Sequence, residues 1–406
     1  MSVSNSRGIL ARFSDPAVGW AVAALIFVVA TARAEGPPPD DLTFVPGDSY
    51  SYLRIAEAAP GVPAEPVFFH YAQRVTLPYL IGLVHEATGL PLHALFQLSA
   101  VLIVVAILVV FARVLERLAV DGAAAALALS TFVLNPWAVR AYLTYPEMVT
   151  DLGFVLGLAV LLHGLANERL ATLLAGQLIA SLGRQTGLLL VPLAVLWVWQ
   201  VWGRRSRLAA CGAVAGIAAG VYAATAALAA GFSYPSENAA HVTELLPWLG
   251  TRFDAALLAS FLVRLVIAPA IPVLMMLASV HRWRPVPGRR RLVAILCAGS
   301  VAIWLQPLLA GPDLTVGNGP RLTALGLLPV CAAAGIVLGD TLAAPAPGSR
   351  RFFALLALLA LASMHHVYVF SQTPTEMQRA LFAATYSIAC LGILVVTRAG
   401  MRAEPT

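Results

Sequence analysis

Long apolar runs restrict what this chain can fold into more than any other feature of its sequence. Most of the twelve runs approach or exceed the ~20 residues that a helix needs to cross a bilayer. The chain is 60% hydrophobic and 11% charged, with a mean hydropathy of +0.83, unlike water-soluble domains. The sequence predicts an all-α polytopic transmembrane bundle of about 11–13 spans, forming one domain over residues 1–406. The runs occupy residues 16–34, 92–115, 120–140, 148–166, 170–182, 185–203, 207–230, 254–281, 290–311, 321–341, 352–371 and 377–397.

All 26 basic residues are arginines, and their placement predicts the orientation of the chain. With twelve spans and a cytoplasmic start, most arginines fall in inner loops, in agreement with the positive-inside rule. We expect the first run to be an uncleaved signal anchor, although Ala32-Arg33-Ala34 resembles a signal-peptide cleavage site. The predicted location is the bacterial cytoplasmic (inner) membrane, with an active site that faces the periplasm or exterior. The absence of lysine excludes mechanisms that need a Schiff-base or P-loop lysine.

Polar and aromatic residues are concentrated in the first outer loop, residues 35–91. Pro46-Gly47 marks a turn, after which Asp48 or Ser49 can cap a short helix that carries Tyr52 on the same face as Asp48. One interpretation is an interfacial helix whose tyrosines lie at headgroup level. The other is a carboxylate placed at the membrane surface as a general base. We expect the amphipathic segment Thr76–Thr88 to be a further interfacial helix.

Two acidic residues mark the outer start of the run at 148–166. Glu147 is explained by the helix N-terminus, where the helix dipole favours a carboxylate. Asp151 lies one turn deeper, where a lone charge costs about 2.5–3.5 kcal/mol on insertion scales. It therefore needs a partner or a wet cavity, and Arg140 and Arg184 are the candidate partners.

Arg184 and Gln185 lie in a short connection that we expect to dip into the membrane as a hairpin. A guanidinium at this depth suits a phosphate, which it binds through two parallel hydrogen bonds at any relevant pH. The alternative is a structural ion pair with Asp151 or Glu147. Arg321 lies at the outer start of a later run, where interfacial snorkelling explains it.

Candidate metal ligands are sparse in the sequence. The first outer loop has no D-x-D motif, since Asp40-Asp41 are adjacent, and a divalent cation needs several hard oxygen ligands together. His365-His366 point about 100° apart on a helix, and the four cysteines show no paired spacing. We expect no cofactor, and a divalent metal held by Asp48 with Glu57 or Glu147 is the alternative.

Two segments of the first outer loop, which follow an apolar first span, resemble the GT-C superfamily of integral-membrane glycosyltransferases. They read D-S-Y-S-Y-L-R-I-A at 48–56 and F-H-Y-A-Q-R-V-T-L-P-Y-L at 69–80. The resemblance covers roughly residues 15–200 in arrangement, with 92–203 as the helical core; the more variable half, 204–406, matches only as a series of spans. It implies that Asp48 is the base that activates the acceptor and that the donor is a sugar on a polyprenyl phosphate.

The same resemblance bears on two further positions. It implies an acidic residue in the second outer loop, at Glu147, and an arginine from a late outer loop, Arg321, on the lipid phosphate. We therefore expect Asp48 to be catalytic, a second group of residues to position acceptor or donor, and a third group to bind the lipid phosphate. The second group is Tyr50, Tyr52, Glu57, His70, Arg74, Glu147 and Asp151, and the third is Arg184, Gln185 and Arg321.

The expected function is sugar transfer from a polyprenyl-phosphate donor to a cell-envelope acceptor, which is a glycan, lipid or protein. Membrane lipid is an expected partner and nucleic acid is not. The alternative is a non-enzymatic transporter of lipid-linked saccharides or solutes, which would distribute polar residues through both halves of the membrane. The sequence has no visible internal repeat, which disfavours transporter folds built from repeated halves. A third interpretation is an assembly subunit of a cell-envelope complex.

Overall fold

The structure, a computed structural model, describes residues 16–35, 47–233, 245–251, 253–315, 318–341, 348–364 and 376–399. Over these ranges the chain is helical, and the only β pairing is an isolated bridge between Val67 and Ser233. The predicted all-α architecture is therefore confirmed for the described residues.

The α-helices are numbered here in chain order. They are α1 (Pro16–Glu35), α2 (Gly47–Glu57), α3 (Phe69–Ala72), α4 (Thr76–Thr88), α5 (Leu92–Arg117), α6 (Gly122–Val133), α7 (Ala141–Thr144), α8 (Val149–Ala166), α9 (Leu170–Gly183), α10 (Leu190–Val201), α11 (Arg204–Ala229), α12 (Leu245–Thr251), α13 (Ala255–Ile267), α14 (Ala270–Ser279), α15 (Pro287–Thr315), α16 (Gly319–Ala324), α17 (Leu327–Asp340), α18 (Arg350–Ala362) and α19 (Glu376–Ala399). A π-helical turn covers Pro136–Arg140, and 3₁₀ turns cover Pro146–Met148, Gln185–Leu189 and Val280–Arg282.

Five helices of the described chain are long and apolar enough to cross a membrane, and two bent helix pairs raise that number to as many as seven. The five are Leu92–Arg117, Pro146–Ala166, Ser206–Ala229, Pro287–Pro312 and Glu376–Ala399. The bent pairs are Gly122–Val133 with Pro136–Thr144, at 52°, and Ala255–Ile267 with Ala270–Arg282, at 70°. A multi-pass membrane protein follows from these helices. The expected 11–13 spans also count shorter apolar helices, and that number stays a prediction.

The two bent pairs meet at their breaks. Asn135 lies between the two helices of the first pair, and its side chain accepts a hydrogen bond from the Trp137 amide at 3.1 Å. Its Nδ2 donates to the carbonyl of Ala268 at 2.8 Å, at the break of the second pair. Proline has no N–H, so Pro272 cannot supply the helical hydrogen bond that this carbonyl would otherwise receive. Asn135 therefore gives the Ala268 carbonyl a hydrogen bond that it would otherwise lack inside the bundle.

Helices α8 and α9 pack backbone against backbone, and glycine makes this close contact possible. A Cβ atom on Gly157 would lie 2.2 Å from the Ala180 nitrogen, and one on Gly183 would lie 2.5 Å from the Phe154 nitrogen. Small residues at such crossings are the usual way in which membrane helices approach closely. The contact brings the start of α8 beside the residue that follows α9, Arg184.

The first outer loop folds onto the bundle. Tyr52 and Ile55 of α2 are buried with Val67, Ala72 and Val75. The Val67 amide donates to the Phe232 carbonyl at 2.9 Å, which ties the loop to the end of α11. Helix α4 has the predicted bounds, Thr76–Thr88. Because this loop is packed rather than extended into solvent, the side chains on the inner face of α2 are removed from water.

Candidate functional site

Five charged side chains from four parts of the chain meet where the first outer loop packs on the bundle, and two of them belong to that loop. We call them the charge cluster, and they are Asp48, Arg74, Asp151, Arg184 and Arg321. Each is at most 8% exposed. Charged groups are rarely buried to this extent unless they pair or bind a ligand.

The two carboxylates of the cluster are shared among the arginines. Arg321 pairs with Asp48, and its Nε lies 3.4 Å from Oδ2 of Asp151. Arg184 also pairs with Asp151. The cluster therefore contains three guanidinium groups and two carboxylates, which leaves an excess of one positive charge among its own members.

Hydrogen bonds with neutral side chains complete the cluster. Tyr71 donates its hydroxyl to Oδ1 of Asp48 at 2.7 Å, and Tyr142 donates to Oδ2 of Asp151 at 3.0 Å. Arg74 donates through Nη1 to the Tyr52 hydroxyl and through Nε to Oε1 of Gln185, both at 2.9 Å. Among the described residues, Nε of Arg184 has no hydrogen-bond partner, and Nε of Arg321 has only the ion-pair contact with Asp151 at 3.4 Å. These donors and the excess positive charge favour an anion.

The charged groups lie at helix ends and in breaks between helices. Asp48 and Asp151 lie in the first turns of α2 and α8, where the helix dipole favours a carboxylate. Arg184 has an extended backbone, with φ −151° and ψ 144°, between α9 and the following 3₁₀ turn. Arg321 lies in the short helix α16, whose first turn contains Pro320, a residue suited to a helix start. The site is thus built where regular structure stops.

Burial and neighbouring charges shift the pKa values of two groups in the first outer loop, Asp48 and Tyr71. Burial raises the pKa of the Asp48 carboxyl, but the charges of Arg321 and Arg74 outweigh burial and hold it well below its usual range. Burial and the Asp48 carboxylate together raise the pKa of Tyr71, so its hydroxyl remains a donor. Asp48 is consequently an anion in this state of the protein. While Arg321 is bound to it, Asp48 is also a weak proton acceptor.

The structure brings seven of the residues selected from the sequence into the cluster or into direct contact with it. They are Asp48, Tyr52, Arg74, Asp151, Arg184, Gln185 and Arg321. Arg184, rather than Arg140, is the ion-pair partner of Asp151. Arg140 donates instead to Ser363 and Thr31.

Four other selected residues lie apart from the cluster. Tyr50 is 52% exposed, and the Arg54 guanidinium lies over its ring at 5.5 Å. Glu57 is exposed at the end of α2, and His70 is exposed with its ring 3.9 Å from that of Tyr71. Glu147 is buried, but its Oε1 contacts Nδ1 of His93 at 2.9 Å. The roles predicted for these four residues stay predictions.

Sequence reasoning did not select two residues that the geometry makes part of the site, namely Tyr71 and Tyr142, and it did not select His93, the partner of Glu147. Tyr71 precedes Arg74 by three positions, a spacing that places two side chains on one face of a helix. Helix α3 ends at Ala72, however, so the two side chains reach Asp48 and Tyr52 from a helix and from the following turn. No local pattern signals Tyr142 or His93, because their partners are brought to them by tertiary packing.

No group of three or more His, Cys, Asp or Glu side chains is placed to hold a metal ion in the described ranges. Asp40, Asp41, His365 and His366 lie outside those ranges. No family model, curated protein or solved structure matches the chain.

Proposed function

We propose that this protein is a membrane glycosyltransferase that moves a sugar from a polyprenyl-phosphate donor to a cell-envelope acceptor at the outer membrane face. The charge cluster is the observation that carries this proposal. It places a carboxylate, Asp48, beside the Arg321 guanidinium, in a cluster where Nε of Arg184 has no hydrogen-bond partner among the described residues. A base and an anion site in contact are the two elements that direct sugar transfer from a phosphate ester requires.

Charge supports a phosphodiester as the anion. A sugar linked to a lipid through one phosphate carries one negative charge, which balances the excess positive charge of the cluster. Arg184 and Arg321 would bind its oxygens, since a guanidinium matches a phosphate through parallel hydrogen bonds. As the phosphate draws Arg321 away from Asp48, the pKa of the Asp48 carboxyl rises, and Asp48 becomes a better base.

The reaction then needs one proton transfer and one exchange of bonds at the anomeric carbon. Asp48 accepts the proton of the acceptor hydroxyl, and the hydroxyl oxygen bonds to the anomeric carbon. The bond between that carbon and the phosphate oxygen breaks, and the lipid phosphate leaves with the electron pair. Positioned proton transfer contributes typically 10²–10⁴-fold to such a step. The arginines act on the oxygen where negative charge develops.

An apolar groove beside the cluster supports a lipid-linked donor. It has a volume of about 310 Å³ and lies between α4 and α5, with Leu77, Leu80 and Ile103 among its walls. Leu77 lies three positions after Arg74, and a Cβ atom on Gly153, two positions after Asp151, would lie 2.6 Å from its Cδ1. A prenyl chain in this groove would therefore lie near the two segments that carry Arg74 and Asp151.

The test uses the purified full-length protein in nanodiscs with a radiolabelled polyprenyl-phosphate sugar and membrane extract as the source of acceptor. We expect release of free polyprenyl phosphate and labelling of an acceptor by the natural protein. Asp48→Asn should lower turnover by at least about 10²-fold. Glu86→Gln is the matched control, since Glu86 is an exposed carboxylate on α4.

The outcomes separate the proposal from its alternative. Turnover that is unchanged in Asp48→Asn would remove Asp48 as the base. Binding of the donor without turnover, together with its movement between the two membrane leaflets, would identify a transporter of lipid-linked saccharides instead.

A further inference from the structure

Three aromatic rings at the surface of the first outer loop lie side by side. They belong to Phe68, His70 and Tyr71, and we call them the aromatic platform. The ring centroids of Phe68 and His70 are 6.1 Å apart, and their planes are 28° from parallel. The Tyr71 ring lies 3.9 Å from that of His70 and 6.1 Å from that of Phe68. Phe68 is 50% exposed, His70 is exposed and Tyr71 is half-buried, so the platform is accessible from solvent.

The backbone that carries the platform is held in place on both sides of the bundle contact. Arg54 binds Glu65 through its carboxylate at 2.9 Å and through its carbonyl at 3.0 Å. The Val67 amide donates to the Phe232 carbonyl at 2.9 Å, and the Val67 side chain is buried. Phe68 follows with an extended backbone, φ −61° and ψ 140°, in which neighbouring side chains point to opposite sides. The outward position of Phe68 is therefore fixed by the inward packing of Val67.

Tyr71 joins the platform to the charge cluster. Its hydroxyl donates to Oδ1 of Asp48 at 2.7 Å, whereas Arg321 binds Oδ2 of the same carboxylate. The two oxygens of Asp48 therefore face different groups, an aromatic side chain at Oδ1 and a guanidinium at Oδ2. In the proposed reaction the guanidinium side takes the lipid phosphate. This leaves the Oδ1 side, which the platform borders, for the acceptor hydroxyl.

The platform has the chemistry of a surface that binds sugars. The face of an aromatic ring carries partial negative charge, and the C–H groups of a sugar ring carry partial positive charge. A sugar can therefore stack on the platform and keep its hydroxyls available for hydrogen bonds. Ligand sites combine aromatic walls with a few placed polar groups, and here those groups are the Tyr71 hydroxyl and Asp48. A lipid also covers aromatic rings at a membrane surface, but its chain has no hydroxyl for Asp48.

We propose that the aromatic platform binds the acceptor and that the acceptor is a saccharide. Its terminal ring stacks on Phe68 and His70, and one of its hydroxyls takes the place of the Tyr71 hydroxyl at Oδ1 of Asp48. Oδ1 accepts the proton of that hydroxyl, its oxygen bonds to the anomeric carbon of the donor, and the lipid phosphate leaves with the electron pair. This inference rests on the proposed function and narrows its acceptor from a glycan, lipid or protein to a glycan.

Saturation-transfer difference NMR tests the stacking without a donor. The full-length protein in nanodiscs is titrated with neutral tetrasaccharides of glucose, galactose, mannose or arabinose, which carry no charge for the arginines to bind. We expect saturable binding of at least one of them, with most transfer to the C–H protons on one face of its terminal ring. Phe68→Leu should weaken this binding about fivefold, because leucine keeps an apolar surface but has no ring face. Phe68→Trp should preserve or strengthen it.

Phe253→Leu is the matched control, since Phe253 is 60% exposed and lies outside the platform. We expect it to leave saccharide binding unchanged. Equal weakening by both leucine variants, or saturable binding of none of the four saccharides, would overturn the proposal. Binding that Phe68→Leu leaves unchanged would also overturn it and would assign Phe68 to the membrane interface, where any large apolar side chain serves.

The result is separable from that of the turnover assay. Turnover that requires Asp48, together with saccharide binding that Phe68→Leu leaves unchanged, would remove the platform and keep the proposed transferase. Saccharide binding that depends on Phe68, together with turnover unaffected by Asp48→Asn, would keep the sugar-binding surface and remove the proposed base.

Discussion

At the scale of single residues, the contact between Asp48 and Arg321 decides how the charge cluster behaves. The two residues are 273 positions apart, and both are almost fully buried. Each was identifiable from its local sequence as a charge at the predicted outer face. Their pairing was not, because it depends on how the first outer loop packs on helices from the second half of the chain.

Removal of Arg321 should therefore destabilise the protein strongly. Arg321→Gln leaves Asp48 buried without its closest cation, and breaking a buried ion pair from one side costs about 3–5 kcal/mol. The loss is measured as the change in free energy of unfolding in detergent. Asp48→Asn in the same background should restore part of it, since the unpaired charge is then absent. Losses that simply add in the double variant would show that the two groups do not interact.

The depressed pKa of Asp48 also predicts how stability depends on pH. A carboxyl whose pKa is lower in the folded state stabilises the fold above its unfolded pKa, about 3.9, and loses this effect as pH falls through the folded value. The difference in melting temperature between the natural protein and Asp48→Asn should thus be constant from about pH 8 to pH 5 and shrink below about pH 4. A difference that shrinks between pH 7 and pH 5 would contradict the assigned direction.

At the scale of elements, the hairpin of α8 and α9 positions Asp151 against Arg184. The short run and the break near residue 183 were predictable from the apolar pattern. The backbone contact was not, since it depends on which glycines face each other.

Gly157→Ala tests this packing, because its new Cβ would lie 2.2 Å from the Ala180 nitrogen. We expect overpacking to cost about 1–3 kcal/mol in the free energy of unfolding. The control is Gly212→Ala on α11, where a Cβ would have no atom within 4 Å. That variant should be neutral or more stable by up to about 1 kcal/mol, because alanine favours the helix. Equal effects of both substitutions would exclude close packing as the cause.

At the scale of the whole molecule, the lengths of the apolar runs predicted the helices. The site could not be predicted in this way, because it depends on packing between distant segments. The expected core, residues 92–203, contains Asp151 and Arg184, but the other three members of the cluster, Asp48, Arg74 and Arg321, come from outside it. Sequence spacing identifies charges that are unfavourable in a membrane. It does not identify their partners or the tyrosines that donate to them, since these come from distant segments.

The charge excess of the assembled site predicts stabilisation by a lipid phosphate. A short-chain prenyl phosphate at 100 times its Kd should raise the free energy of unfolding by about 2.7 kcal/mol. The prenyl alcohol of the same length is the control ligand, and Arg184→Gln should remove the difference between the two. Stabilisation by alcohol and phosphate alike would indicate that only the chain is bound. The change in free energy of unfolding is measured by thermal unfolding at several ligand concentrations.

The contact between Asn135 and the Ala268 carbonyl has a consequence for biogenesis. Ribosomes deliver residue 135 to the membrane well before residue 268, so the first broken span enters the bilayer with its Asn135 amide still lacking the Ala268 acceptor. We expect the early helices to stay loosely held until α13 and α14 arrive and the two breaks join. In a pulse-chase experiment, Asn135→Ala should leave newly made chains sensitive to protease for longer than the natural protein. The joining of the two interrupted helices therefore follows the insertion of α13 and α14.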